Sequence, residues 1–512
     1  MNALKRTAAH TFLLMVVLTL ISKLLGFVRE MIMANYYGAS YIVDAYVMAT
    51  AVPSIIFGGI FGAVATAYMP TFSMIREKDG LDQGNRFTSQ IMNLLVLVSI
   101  VASFVGIFFS DQIVSIFASG FEGKTAELTS FFIKITFCYV TFTSTANVLD
   151  AYLNYKGIFL RPIVGNYFQN IPVIAVIIIS AFTTHHILAL GILIGSALRL
   201  VYMAFVAKKE GYQYSWVLSF GKTVRHIMSL AIPVFIGTYI LQVNTFVDKT
   251  LASRLPEGSV AALNYGMILV GLFTGLTVSL MITMIYPKLI KAHTNEDWPV
   301  FNDTVEKGMN IILLIALPVS LGILAFSDET VQIVYERGAF DVAATNLTSG
   351  AFFYYGLGLT FFVMNELFTK IYYSMRNTKV PIVCSGISVI INISLNLLLI
   401  GHMAHRGLAL ATSMAALINM LMLYFWMKHK YPKIAIMKSK RKLAKIVFSA
   451  GVAVGMAYGL NVVLVASIWM PRMVYLGMAV TVAVLGYLAL LKGFDIEEVK
   501  LISGLIRRRK KK

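Results

Sequence analysis

The sequence predicts an all-α polytopic membrane protein of fourteen transmembrane helices, built as two parallel six-helix lobes followed by two C-terminal helices. Three observations predict it. The 512 residues are 58% apolar and only 13% charged, with a mean hydropathy of +0.77, against roughly 45–50% and 25% in an ordinary globular chain. Apolar runs of about 20 residues, the length that crosses a bilayer as a helix, recur from end to end. The first part of the chain is echoed at an offset of about 219 residues. So much apolar surface needs lipid as its solvent, which excludes a cytosolic enzyme, a secreted disulfide scaffold and a disordered chain.

The runs lie near 10–34, 42–68, 88–110, 127–153, 162–183, 187–207 and 226–250. They continue near 258–286, 308–327, 347–374, 380–401, 407–427, 443–467 and 473–491. The first has the basic start of a signal peptide, but it continues past Lys23 and Arg29 without a small-x-small cleavage site, so it reads as a span. The runs are too long, and too little alternating, for barrel strands. Cys138 and Cys384 each sit inside an apolar run and read as free core thiols.

Charge tests the count. With both termini cytoplasmic, most of the 43 lysines and arginines fall in inner loops or in the tail. Only Lys124, Lys249, Arg254, Arg337, Arg406 and Arg472 fall in outer loops. That is the positive-inside asymmetry, and it accounts for the net charge of +19. The terminal Arg507–Lys512 run reads as a cytoplasmic anchor beside anionic lipid rather than a nucleic-acid patch.

The repeat is carried by ordered matches. Ser110-Asp111 corresponds to Ser327-Asp328, Leu128-Thr129-Ser130 to Leu347-Thr348-Ser349, and Pro162-Ile163-Val164 to Pro381-Ile382-Val383. Six helices per unit return the chain to its starting side, so the copies are parallel, as in alternating-access transporters. The expected domains are a lobe at 1–207, a cytoplasmic linker at 208–225 and a second lobe at 226–430. A basic cytoplasmic loop at 431–442, helices 13 and 14 at 443–491 and a basic tail at 492–512 follow. No G-x-x-x-x-G-K-[ST], H-E-x-x-H or G-x-S-x-G motif is present, so neither nucleotide hydrolysis nor those hydrolytic chemistries are expected.

Ionisable residues inside spans cost about 2.5–3.5 kcal/mol each, so each is a functional candidate. The first span carries Lys23, Arg29 and Glu30 within one wedge, and the second carries Asp44. Glu30 and Asp44 are the groups able to neutralise the two cations. Arg199 reads as snorkelling, Glu366 and Lys370 as an i, i+4 surface pair, and Gly58, Gly59, Gly62 and Ala63 as a helix-packing face. For a coupling cation the oxygen candidates are Asp248 on helix seven, Asn392 and Asn396 at i, i+4 on helix eleven, and Thr412 on helix twelve with the Leu408 carbonyl. On spacing alone the two asparagines serve equally as interhelical glue, and Asp248 could pair with Lys249 or Arg254.

The stretch Ser22-Lys23-Leu24-Leu25-Gly26-Phe27-Val28-Arg29-Glu30, with Tyr37-Gly38-Ala39-Ser40 and Asp44-Ala45-Tyr46, resembles the opening of the MurJ (MviN) lipid II flippases of the MOP exporter superfamily. Tyr335–Asp341, Arg376–Pro381 and Gly407–Ser413 extend the likeness, which runs from about 8 to 430. The resemblance implies a bacterial plasma-membrane flippase that carries undecaprenyl-pyrophosphate-linked peptidoglycan precursor outward. It implies that Lys23 and Arg29 are the basic pair of the first helix that binds the pyrophosphate, with Glu30 beside them and Asp44 either positioning Arg29 or gating the outer side. It also implies a sodium site at Asp248, Asn392, Asn396 and Thr412, where Asn396 stands for the family's aspartate. Na⁺ is the only cofactor expected, and the expected partners are the glycolipid, membrane lipids and the cell-wall machinery. Two family arginines are missing, after Pro53 and after Tyr265. The alternatives are a flippase for another polyprenyl-linked oligosaccharide, a cation-coupled drug exporter, and a membrane transferase or scaffold.

Overall fold

The structure is a computed structural model that describes residues 2–219, 221–280, 285–434, 440–467 and 471–496. The tail Arg507–Lys512 and residues 435–439 of the basic loop lie outside the described residues. Every regular element among the described residues is helical. In order they are α1 (Asn2–Tyr37), α2 (Tyr41–Phe108), α3 (Ser110–Phe117), α4 (Gly123–Tyr155), α5 (Leu160–Phe182), α6 (Leu188–Lys209) and α7 (Lys222–Ser253). Then follow α8 (Ser259–Leu280), α9 (Tyr286–Thr294), α10 (Trp298–Tyr335), α11 (Val342–Ser374), α12 (Lys379–Lys430), α13 (Lys440–Ser467) and α14 (Arg472–Gly493).

These elements do not map one to one onto the runs in the sequence. Helix α2 covers two runs and is broken at Gly80, with φ 84° and ψ 176°, a conformation open to glycine. Helix α12 also covers two, broken at Ala404 with φ 48° and ψ −132°. The next residue, His405, is buried and donates from Nε2 to the Leu347 carbonyl on α11 at 2.9 Å. Helices α3 and α9, of 8 and 9 residues, are too short to cross a bilayer. By length and composition, nine helices among the described residues can cross a membrane. Two of them, α2 and α12, are 68 and 52 residues long, far beyond the roughly 20 that one crossing needs. Side chains such as Phe108, Phe182 and Val201, each well over half exposed, face outward, as lipid-contacting residues do. The protein is a helical, membrane-embedded polytopic chain.

The chain divides into two compact units, Met1–Ala261 with Arg337–Asp341, and Ala262–Glu336 with Val342–Lys512. In the first, the two arms of α2 fold on each other past Gly80. Tyr68 and Phe72 from one arm stack near Phe87 from the other, and the Tyr68 and Thr88 hydroxyls share a hydrogen bond of 2.7 Å. Tyr152 of α4 closes the cluster edge-on to Phe72. Helix α7 meets α2 at the small-residue run: a Cβ on Gly59 would sit 3.3 Å from both Phe235 and Tyr239. The run is therefore the packing face its composition suggests.

In the second unit, α13 and α14 lie against α10 through Ile446, Ala450, Tyr487 and Leu491 around Leu313 and Leu314. The Tyr487 hydroxyl donates to the Leu314 carbonyl at 3.1 Å.

Candidate functional site

Helices α1 and α5 run parallel and are tied at three levels. The Tyr167 hydroxyl donates to the Leu18 carbonyl at 2.6 Å, Arg29 Nη1 to Asn170 Oδ1 at 3.2 Å, and the Tyr37 hydroxyl to Ser180 Oγ at 2.7 Å. The middle tie holds the candidate cation. Arg29 Nε and Nη2 also donate to Glu30 Oε1, at 3.1 and 2.6 Å. Its side chain is 33% exposed and that of Glu30 13%. A guanidinium has five N–H groups, so these three bonds leave two for an anion. Lys23 stands exposed on the same helix. Glu30 is thus the carboxylate partner of Arg29. Asn170 was missed because a lone amide in a span does not announce its partner.

Asp44 is held by backbone donors. It is 2% exposed, and its Oδ2 accepts the Gly258 N–H while its Oδ1 accepts the Ala261 N–H, both at 2.7 Å. These are the orphan donors at the start of α8, so Asp44 caps that helix from α2. Tyr41 N–H donates to Glu257 Oε1 at 2.8 Å beside it. The segment Arg337–Asp341 joins the same end of the unit, where the Ala339 N–H donates to the Asn35 carbonyl at 2.8 Å. Gly38 and Gly338 make that approach possible. Their φ values are +62° and +58°, and a Cβ on them would lie 2.4 Å from the Ala339 oxygen and 2.3 Å from the Asn35 oxygen. The family-like Tyr37-Gly38-Ala39 and Arg337-Gly338-Ala339 stretches therefore form one backbone-to-backbone latch. Lys249, placed in an outer loop by the sequence reading, lies on α7 within electrostatic range of Asp248, Asp44 and Glu30.

The ion candidates fall in both units. Asp248 is on α7 in the first, where Asn244 Nδ2 donates to its Oδ2 at 3.3 Å. Arg254 donates instead to Ser119 Oγ at 3.1 Å. In the second unit Asn396 Nδ2 donates to Asn392 Oδ1 at 2.8 Å, Asn392 Nδ2 to Thr412 Oγ1 at 3.4 Å, and Thr412 Oγ1 to the Leu408 carbonyl at 3.0 Å. The three predicted residues of α12 are brought together in one hydrogen-bonded chain that ends on the Leu408 carbonyl.

Two expectations are corrected. Arg199 does not snorkel: its side chain is 11% exposed and ion-pairs with Asp150 of α4, with Asn147 Oδ1 at 3.3 Å. Pairing across helices is cheaper here than reaching water. Lys370 does not pair with Glu366; it lies over the rings of Tyr286 and Tyr373 at 6.0 and 5.6 Å, where cation–π attraction replaces the carboxylate.

The family model for lipid II flippase MurJ matches residues 33–480. The chain belongs to the MurJ family. Relatives include the probable lipid II flippase MurJ of Rickettsia prowazekii (strain Madrid E), 27% identical over 434 residues, which are 82% of this chain and 83% of the relative. The lipid II flippase MurJ of Burkholderia cenocepacia is 24% identical over 427 residues, covering 80% and 82%. A solved lipid II flippase MurJ in an inward closed conformation matches with TM-score 0.81 at 24% identity, over 94% of this chain and 98% of that one. An inward-facing multidrug resistance MATE transporter of the MOP superfamily matches with TM-score 0.66 at 12% identity, over 82% and 98%. At these identities the two structures establish a shared polytopic helical fold.

Proposed function

We propose that the protein moves lipid II, the undecaprenyl-pyrophosphate-linked peptidoglycan precursor, from the inner to the outer leaflet of the bacterial plasma membrane by alternating access. The observation that carries this is the family match over residues 33–480. Arg29 supports it: a diphosphate needs a cation once water is thinned out, and a guanidinium offers a bidentate fork. The diphosphate takes the two spare N–H groups and draws the fork from Glu30 and Asn170. Lys23 adds a second positive charge.

The second unit supports a long apolar substrate. A cavity of about 460 Å³ lies among α10, α13 and α14, lined by residues such as Pro318, Gly322, Val454, Val480 and Leu488. Its walls are almost wholly apolar, which suits a polyprenyl chain.

With both termini cytoplasmic, the Asp44 latch lies at the outer side. Outward opening then requires that the two bonds on α8 and the Asn35–Ala339 bond part. Asn392, Asn396 and Thr412 in the second unit are residues that would bring oxygens to a coupling Na⁺, and Asp248 in the first unit is the acidic candidate. A monovalent cation moved down the membrane potential supplies about 2.3 kcal/mol per 100 mV.

The decisive experiment measures leaflet accessibility of lipid II in cells depleted of this protein. Accumulation in the inner leaflet with arrest of wall synthesis is expected. A second reading, a flippase for another polyprenyl-linked oligosaccharide, is favoured by the missing arginines: Ser54 follows Pro53, and Tyr265 is followed by Gly266-Met267-Ile268. Normal lipid II distribution with loss of a surface glycan would select it.

A further inference from the structure

The segment between α6 and α7 is not a free linker. Gly211, at φ +86°, turns the chain out of α6, and the following residues run back along the second arm of α2. A ladder on that helix holds them. Asn85 Nδ2 donates to the Gly211 carbonyl at 3.1 Å, and Ser89 Oγ accepts the Ser215 N–H at 3.1 Å. Asn93 Nδ2 donates to the Val217 carbonyl at 3.0 Å, and Gln90 Nε2 to the Ser219 carbonyl at 2.6 Å. The Tyr212 hydroxyl shares a 2.8 Å hydrogen bond with Ser89, and the Tyr214 hydroxyl donates to Asn93 Oδ1 at 2.8 Å. Asn85, Ser89 and Asn93 are 3%, 0% and 7% exposed. They stand one turn apart on one face.

Depth gives the ladder its meaning. The apolar stretch of this arm, residues 91–109, spans about 28 Å as a helix, close to the roughly 30 Å of a hydrocarbon core. The ladder therefore runs from the headgroups to the edge of that core, and Asn93 sits at the edge. An extended backbone there has little water to bond, so side chains must satisfy it. Four polar residues on α2 do so. The large apolar side chains that the ladder leaves exposed are Trp216 and Leu218, at 80% and 48%, while the Tyr214 ring is 54% exposed with its hydroxyl tied back to Asn93. Tryptophan and tyrosine favour the membrane interface. Lys208, Lys209 and Arg225 flank the segment and complement anionic headgroups.

We propose that residues 210–219 are a re-entrant strap, carried by α2, that inserts Trp216 and Leu218 into the headgroup region of the bilayer. The occupant of its apolar face is lipid. The strap is independent of which glycolipid is moved.

The test uses the full-length protein in nanodiscs of phosphatidylethanolamine and phosphatidylglycerol. Tryptophan emission is compared between the wild type and Trp216→Phe, with lipids brominated near the carbonyl end of the acyl chains and with aqueous iodide. The expected result is that the Trp216 component is quenched by the brominated lipid and spared by iodide. Quenching by iodide alone overturns the proposal and leaves a solvent-facing or protein-docking surface. A second variant, Gln90→Leu with Asn93→Leu, should raise amide exchange in 211–219 and move the Trp216 component to iodide sensitivity. Unchanged exchange in a folded variant would reject the ladder as what holds the strap.

Discussion

Replacing Asp44 by alanine should release the end of the first unit at which α2 caps α8. The carboxylate is 2% exposed and accepts two backbone N–H groups at 2.7 Å. A hydrogen bond to a charged group contributes about 1.5–3 kcal/mol, and a buried donor left without a partner carries its desolvation cost as well. Two such bonds make the loss about 3 kcal/mol at the low end, since the freed donors can bind water once the end opens. That is roughly a 100-fold shift in favour of the open arrangement. Asp44→Asn keeps one carbonyl oxygen but turns an amide donor toward the second N–H, so it should fall between. The assay is the labelling rate of Ala39→Cys by a membrane-impermeant thiol reagent, with Cys138 and Cys384 replaced by serine. The expected order is alanine fastest, asparagine intermediate and aspartate slowest, with a lowered thermal midpoint in the same order. Equal rates for all three would refute the idea that this carboxylate holds the end closed.

Three further outcomes are expected. Arg29→Ala should abolish complementation of a depleted strain at normal protein level, while Arg29→Lys retains part of it, because lysine keeps the charge and loses the fork; growth with both Lys23 and Arg29 replaced by alanine would remove them from the substrate site. Na⁺ should raise the thermal midpoint of the wild type but not of Asp248→Ala, and a wild type indifferent to Na⁺ would leave proton- or potential-driven transport. Arg199→Leu or Asp150→Leu alone should cost about 3–5 kcal/mol, since each strands a buried charge; the double variant should recover most of that, as read by thermal midpoint in detergent.

How far the sequence could be read depended on the range of each interaction. Helices and membrane embedding follow from local composition, and the structure carries them. The breaks at Gly80 and Ala404 lie between adjacent apolar runs, where a hydropathy gap already separates them. Partner choice is different. Arg199 meets Asp150 from 49 residues away, and Arg29 meets Asn170 from 141 residues away. No periodicity encodes those distances. Asp44 shows the limit most clearly. Its value lies in two backbone N–H groups, and a backbone donor leaves no mark on residue type. Only the glycines did: Gly38 and Gly338 sit in stretches that stood out as family-like before any contact was known. A side chain at either position would hold two backbones apart. Here the family-like glycines mark the place where two backbones meet, whereas Asp44 alone points to a cation that is not its hydrogen-bond partner.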